Sequence, residues 1–357
     1  MKHLAIVGGG IAGLATALHL LRQGYRVTVF EKQKGSVDKV CGEGMLPFGV
    51  ALLREMGLEP SVRNEGMSFS GLAYHHRGKI LQADFSKAQM GIGIDRIHLG
   101  QVMLGACEVF DGFRYRPGVR VTPEVISREF RLVLGADGVQ GRMARWAGMR
   151  PKATARIGAR FRLDVAPPER VAVHFFREGE IYLTPTGRKT LSVAMLLNRD
   201  KLGVGGAGLA EFCQSMFQRA MPEYADTPIR DFATRGHIAV RWQGQVPKRI
   251  LMGDALRAFD PISGAGMSFA LLCAKLAAEN IEDPEAYYRA IAPAMKAVDS
   301  FTNLVLFFSG GGLRTRLMFR QLGKAPSLFE RLIECHDGRH RFSDLLDWHM
   351  AKQILRV

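Results

Sequence analysis

HLAIVGGGIAGLATALHLLRQGYRVTVFE, residues 3–31, is the stretch whose reading decides the fold. Residues 3–7 have the length and apolarity of a short buried strand, broken by Gly8-Gly9-Gly10-Ile11-Ala12-Gly13. Leu14, Leu18 and Leu21 then recur at helical spacing, and the stripe ends near Gly24. Arg26 to Phe30 reads as a second strand, closed by Glu31. A strand, turn, helix and strand within about thirty residues form the unit that binds a dinucleotide. Gly8 permits the tight turn, Gly10 lets the backbone approach a pyrophosphate, and Gly13 allows close packing of helix on strand. The helix N-terminus offers unpaired N–H groups and a positive dipole end to phosphates. Glu31, eighteen positions past Gly13, stands where an acid accepts hydrogen bonds from a ribose 2′-OH. That favours an unphosphorylated adenosine half, as in FAD or NAD.

Outward from this unit, the helix expected over about 47–56 carries Pro47 in its first turn, where the missing N–H costs nothing. Residues 66–84 read as short strands, 96–107 as a helix, and 113–121 and 129–135 as strands. Residues 155–200 alternate in a strand-like way, 203–208 read as a glycine-rich loop and 209–220 as a helix. A strand at 249–252 precedes a strongly apolar helix over 264–281, and the chain from Pro284 onward is helical in pattern. The second sheet interrupts the first unit, so the expected organisation is discontinuous. Residues 1–65, 91–154 and 247–297 form a Rossmann-type α/β nucleotide domain. Residues 66–90 and 155–246 form a β-sheet substrate domain, and 298–357 a C-terminal helical segment.

The apolar fraction, 47%, and charged fraction, 23%, exclude disorder and fibres. No apolar run reaches the roughly 18 residues of a bilayer span, and the N-terminal apolar run is too short for a signal peptide; a cytoplasmic protein is expected. The charge, 49 − 34 = +15, first suggests nucleic acid, but the cations are spread along the chain and no nucleic-acid-binding signature accompanies them. A solvated cationic surface, or a field attracting anionic ligands, accounts for the charge. Five cysteines (41, 107, 213, 273, 335) include no CxxC pair, so neither a zinc site nor a disulfide scaffold is expected.

Three glycine-acid turns, each ending a strand, are spread over the chain: Gly8 to Gly13, Gly135-Ala136-Asp137-Gly138, and Gly253-Asp254 followed by Phe259-Asp260-Pro261 and Gly264-Ala265-Gly266. Open α/β sheets bind ligands outside the carboxyl ends of their strands, so the three turns can meet on one long ligand. This order resembles the FAD-dependent family typified by p-hydroxybenzoate hydroxylase, with its aromatic-ring monooxygenases, geranylgeranyl reductases and flavin-dependent halogenases, over roughly residues 3–280. The resemblance implies FAD held by Gly8, Gly10, Ala12, Gly13, Glu31 and Lys32. It puts Arg96 at the diphosphate and ribityl region, and Asp137 and Gly138 at a contact with FAD and NAD(P)H. Asp254 falls on the ribityl chain, while Pro261, Gly264, Ala265, Gly266 and Met267 fall under the pyrimidine end. Gly141 departs from the family, where many relatives carry a serine.

The loop Cys41-Gly42-Glu43-Gly44 is similar to the flavin-facing loop of the reductases, which makes Cys41 and Glu43 candidate catalytic residues, with NADPH or NADH as reductant. Packing of a small buried residue explains Cys41 equally well. The halogenase Trp-x-Trp-x-Ile-Pro segment is missing, and neither a Ser-His-Asp motif nor HExxH is found. The stretch Tyr182-Leu183-Thr184-Pro185-Thr186, read as preceding a strand, looks most like monooxygenases acting on aromatic, polyene or polyketide-like compounds through a flavin C4a-hydroperoxide. Reduction of prenyl C=C bonds is the alternative, and a flavin-binding protein without turnover a third. The expected partner is a hydrophobic or carrier-bound small molecule. His174 reads as structural. Residues 298–322 read either as an interfacial amphipathic element in peripheral membrane contact or as a helix packing on the flavin domain.

Overall fold

The computed structural model describes residues 2–35, 38–86, 89–122, 126, 128–202, 208–236, 238–245 and 247–336. Most of the glycine-rich loop expected at 203–208, and the helical pattern expected beyond residue 336, lie outside these residues.

The first sheet is parallel, in the order β8 (Phe113–Pro117), β2 (Arg26–Glu31), β1 (His3–Val7), β9 (Leu132–Gly135). Leu4, Ala5 and Ile6 of β1 are fully buried because a parallel sheet is covered on both faces. Helix α1 (Ile11–Arg22) covers one face and packs on α4 (Arg96–Glu108) and α7 (Gly266–Glu279). The strand expected at 249–252 is only a parallel bridge, Leu251 to Gly135. The chain turns immediately afterwards at Gly253, whose φ of +54° ends any extended pairing.

The second sheet has seven strands, in the order β15 (Arg230–Gly236), β11 (Arg156–Leu163), β14 (Thr190–Asn198), β13 (Gly179–Gly187), β12 (Val171–Phe175), β5 (Gly71–His76), β6 (Lys79–Asp84). Every pair is antiparallel except β12 with β5. Tyr182 to Thr186 therefore lies inside β13 rather than before a strand. Two three-stranded sheets, β3 (Gly44–Met45), β7 (Gly91–Gly93), β4 (Met67–Phe69) and β10 (Arg150–Ala153), β16 (Val240–Gln243), β17 (Arg257–Ala258), join the two halves. Helices α2 (Pro47–Glu55), α3 (Glu59–Glu65) and α5 (Met143–Trp146) are short connectors.

Strand β11 packs Ile157, Ala159, Phe161 and Leu163 against α6 (Leu209–Ala220) through Cys213, Met216 and Phe217. The opposite side of the sheet, through Tyr74, Val173 and Phe175, meets Phe301 and Val305 of α8 (Pro284–Phe308), Phe319 of α9 (Leu313–Lys324) and Phe329 of α10 (Pro326–His336). From Phe301 onward the 298–322 segment thus packs on the large sheet. The earlier part of α8, from Tyr287 and Ile291 through Val298, joins the nucleotide core.

By length and composition α8 passes as a membrane span, at 25 residues and mean hydropathy 1.2, against the expectation that no segment would. Only 22% of its apolar window is buried, and a few side chains tie it to the protein. Tyr287 donates to the Leu251 carbonyl at 2.9 Å, and Asp299 pairs with Arg241 and Arg257.

Candidate functional site

A cavity of about 310 Å³ runs from the glycine turn of β1 to the inner face of the seven-stranded sheet. Its nucleotide end is made of backbone. Gly8 has φ +113°, and a Cβ there would overlap the Ala136 carbonyl. A Cβ at Gly13 would overlap the Gly8 carbonyl, whereas one at Gly10 would project into open space on the cavity wall. These are the three different constraints that a pyrophosphate cradle imposes. No side chain caps α1, so its first amides are free for an anion. Glu31 is buried; one carboxylate oxygen accepts from Gly9 N at 2.8 Å, the other from Gln33 N at 2.9 Å. The acid therefore pins the turn as well as facing the cavity.

The other turns reach the same cavity, with two residues left outside it. Gly8, Gly10, Ala12, Glu31, Lys32, Cys41, Glu43, Arg96, Asp137, Gly138, Asp254, Pro261, Gly264, Gly266 and Met267 line the cavity. Gly13 and Ala265 do not; Gly13 supports the turn from behind, and the Ala265 amide donates to Ser263 Oγ at 3.4 Å. Asp137 does more than face a ligand. Its carboxylate accepts from Arg142 N at 2.5 Å and Met143 N at 3.0 Å, capping α5. A Cβ at Gly141 would overlap that carboxyl, so glycine at this departure from the family is what lets the cap form.

Asp254 forms an ion pair with Lys39, a residue the sequence reading passed over. Burial first, then Arg96 and Arg235, push the Lys39 ammonium down to about 7. A group at that value exchanges its proton near neutral pH.

Glu43 is fully buried, at φ +58°, beneath two guanidiniums. Its Oε1 accepts from Arg160 at 2.9 Å and Arg162 at 2.6 Å. Arg160 also pairs with Asp38 at 2.8 Å, and Arg162 with Asp95 at 2.8 Å and Asp231 at 3.1 Å. Glu43 thereby ties the Cys41 loop to β11. Cys41 is half-buried on the cavity wall, with its sulfur 3.4 Å from Glu43 N.

Arg156 makes a third buried ionic site. It pairs with Glu180 and, at 3.4 Å, with Asp260 on the cavity wall. Burial raises both carboxyl pKa values against the pull of Arg156. With two acids to one cation in a dry site, one of them tends to keep its proton. Residues 156, 160 and 162 alternate with the apolar 157, 159, 161 and 163, a period-two signal that was available in the sequence.

The remaining wall is the sheet itself. Leu72 and Tyr74, Val171 and Val173, Tyr182 and Thr184, and Ala194 and Leu196 line it in alternate positions, so four adjoining strands supply an uncharged stretch of wall, with Arg235 near its edge and the β11 arginines further along the same face. Tyr182 is fixed by donating to the Ile262 carbonyl at 3.3 Å. Among the described residues no cluster of three metal-ligating side chains occurs.

A family model of FAD-dependent oxidoreductases matches residues 3–38. The chain is 28% identical to kynurenine 3-monooxygenase of Anopheles gambiae, over 42% of this chain but only 36% of that enzyme. It is 27% identical to 6-methylpretetramide 4-monooxygenase of Streptomyces rimosus, over 75% of this chain and 72% of that one. It is 24% identical to digeranylgeranylglycerophospholipid reductase 1 of Methanopyrus kandleri, over 77% and 79%. The p-nitrophenol 4-monooxygenase of Pseudomonas putida superposes with a TM-score of 0.78 over 95% of this chain and all of that one, at 18% identity, which establishes shared fold. The chain is an FAD-dependent oxidoreductase. Along most of its length it is similar to an aromatic monooxygenase and a geranylgeranyl reductase, and it shares its fold with a flavin-dependent brominase.

Proposed function

We propose that the protein is an NAD(P)H-using monooxygenase that inserts oxygen into a neutral, apolar aromatic, polyene or polyketide-like compound. The supporting observation is the change of wall along one cavity, from glycine turns and helix N-termini to the uncharged side chains of four adjoining strands. FAD, when bound, supplies hydride acceptance from the nicotinamide and activation of oxygen. The chain's own residues bind, orient and exclude water. The free amides of α1, with Arg96, would hold the diphosphate; Asp254, released from Lys39, would accept from the ribityl hydroxyls; Gly264 and Gly266 leave room beside the ring. Tyr74, Tyr182 and Thr184 are the polar points on an otherwise apolar wall, suited to orienting a phenolic or carbonyl oxygen. The uncharged side chains between Leu72 and Leu196, with Arg235 only at their edge, favour a neutral substrate, free or carrier-bound.

A second reading, saturation of prenyl double bonds, is favoured by the half-buried Cys41 on the cavity wall and by the similarity to the Methanopyrus reductase. Turnover by the flavin-loaded protein separates the two. Oxygen-dependent product carrying one added oxygen supports the first. Anaerobic gain of two hydrogens by a polyprenyl substrate supports the second and sinks the first. Cys41→Ala should leave monooxygenation largely intact. Loss of turnover in that variant with FAD still bound would count for the reductase. If neither substrate class accelerates NAD(P)H oxidation, the protein binds flavin without this turnover.

A further inference from the structure

We propose that the tip of the hairpin formed by α8 and α9 docks the protein onto an anionic lipid bilayer. At this tip Phe307 is 52% exposed, Leu313 80% and Leu317 47%, three exposed apolar side chains within eleven residues of sequence. Leu313, Leu317, Arg320 and Lys324 follow one another down one side of α9, while Thr315, Met318, Phe319 and Leu322 face the protein and are buried. The turn is Gly310-Gly311-Gly312, with φ of +93° at Gly310 and +69° at Gly311. Thr315 anchors it by donating to the Phe308 carbonyl at 2.6 Å. Arg314 lies 4.3 Å over the Phe307 ring, so a cation and an aromatic are presented together.

Charge selects the occupant. From residue 300 to 329 the sequence has no Asp or Glu but carries Arg314, Arg316, Arg320 and Lys324, where the chain average would place about three acids. The adjoining loops add Arg177, Arg199 and Lys201 against Glu178 and Asp200, so the cationic excess persists. Exposed apolar side chains interspersed with arginines match the interfacial pattern of peripheral proteins, apolar groups in the acyl boundary and cations at the headgroups. A second copy would bring the same cations against one another, which disfavours self-association through this patch. This inference does not depend on the reaction assigned to the cavity.

The test is cosedimentation of the FAD-loaded full chain with phosphatidylcholine vesicles and with vesicles containing roughly one third phosphatidylglycerol. Binding is expected to the anionic vesicles, weakening as salt is raised. Arg314→Glu and Arg320→Glu should each lower it about fivefold or more, and the double variant Leu313→Glu, Leu317→Glu at least about tenfold. Circular dichroism and the flavin spectrum should be unchanged in all, since the altered side chains are exposed. Equal binding to both vesicle types, or binding indifferent to these substitutions, overturns the proposal. So does a dimer that Leu313→Glu dissociates while no vesicle is bound, or capture by polyglutamate with no affinity for vesicles.

Discussion

At Gly8 to Gly13 the cavity wall is shaped by missing side chains, while β11, beside the cavity, buries some of the longest ones the chain has. The glycine turn works because backbone atoms approach one another more closely than any Cβ allows. Strand β11 works because Arg156, Arg160 and Arg162 reach buried carboxylates supplied by distant segments, Glu43 lying 117 positions before Arg160. The first arrangement fails by steric overlap, the second by leaving a charge dry and unpaired. Damage at the arginines should therefore cost more stability, and damage at the turn should mostly cost cofactor.

The sharpest way to break that contrast is Glu43→Ala. Two buried guanidiniums lose a shared partner, and removing one member of a buried ion pair typically costs about 3–5 kcal/mol. Denaturant unfolding should show a loss of this size; a loss below about 1 kcal/mol would mean that Asp38, Asp95 and Asp231 already satisfy the arginines. Arg156→Met should cost somewhat less, about 3 kcal/mol, since Glu180 and Asp260 can take up protons instead of remaining charged. Asp260→Asn removes the excess acid and should cost no more than about 1 kcal/mol. If the two variants are equally destabilised, the argument from charge balance is wrong. Gly13→Ala comes next, at about 1–3 kcal/mol for overpacking, but with FAD retention on gel filtration lost far out of proportion.

The same contrast explains what could be read from the sequence. The nucleotide turn is local, and its requirements are written in glycine spacing within one short stretch. Strands 171–175, 179–187 and 190–198 were legible because alternation is also local. The arginines of β11 share that alternation, and by themselves they read as a row facing water. Their burial depends on Glu43, Asp38 and Asp260, which only the assembled fold brings near. Lys39 was invisible for the same reason, its partner Asp254 being 215 positions away. The strand expected at 249–252 shrank to a bridge because Gly253 turns the chain at once. Glu43 was singled out for its loop, but its fixed place under two guanidiniums makes it a positioning residue.

The smallest effect concerns His174, far from both kinds of wall. Its ring stacks on His75 at 4.2 Å, and desolvation, then the neighbouring His75, lower its pKa to about 4. Burial also lowers His75, with Glu223 opposing. A base whose pKa is depressed in the folded state favours folding while it is neutral, so this contribution is full above the unfolded value near 6.5 and is lost as pH falls toward 4. Over that window the wild-type protein should lose about 1–2 kcal/mol to this site, after allowance for partial solvent access. His174→Gln removes the titration while keeping a polar side chain of similar reach. Its melting temperature should fall less than that of the wild type between pH 7 and pH 4.5, a range chosen to span the window. Parallel curves for the two proteins would show that the stacked pair protonates without strain and that acid lability arises elsewhere, with the buried carboxylates beside β11 the next place to look.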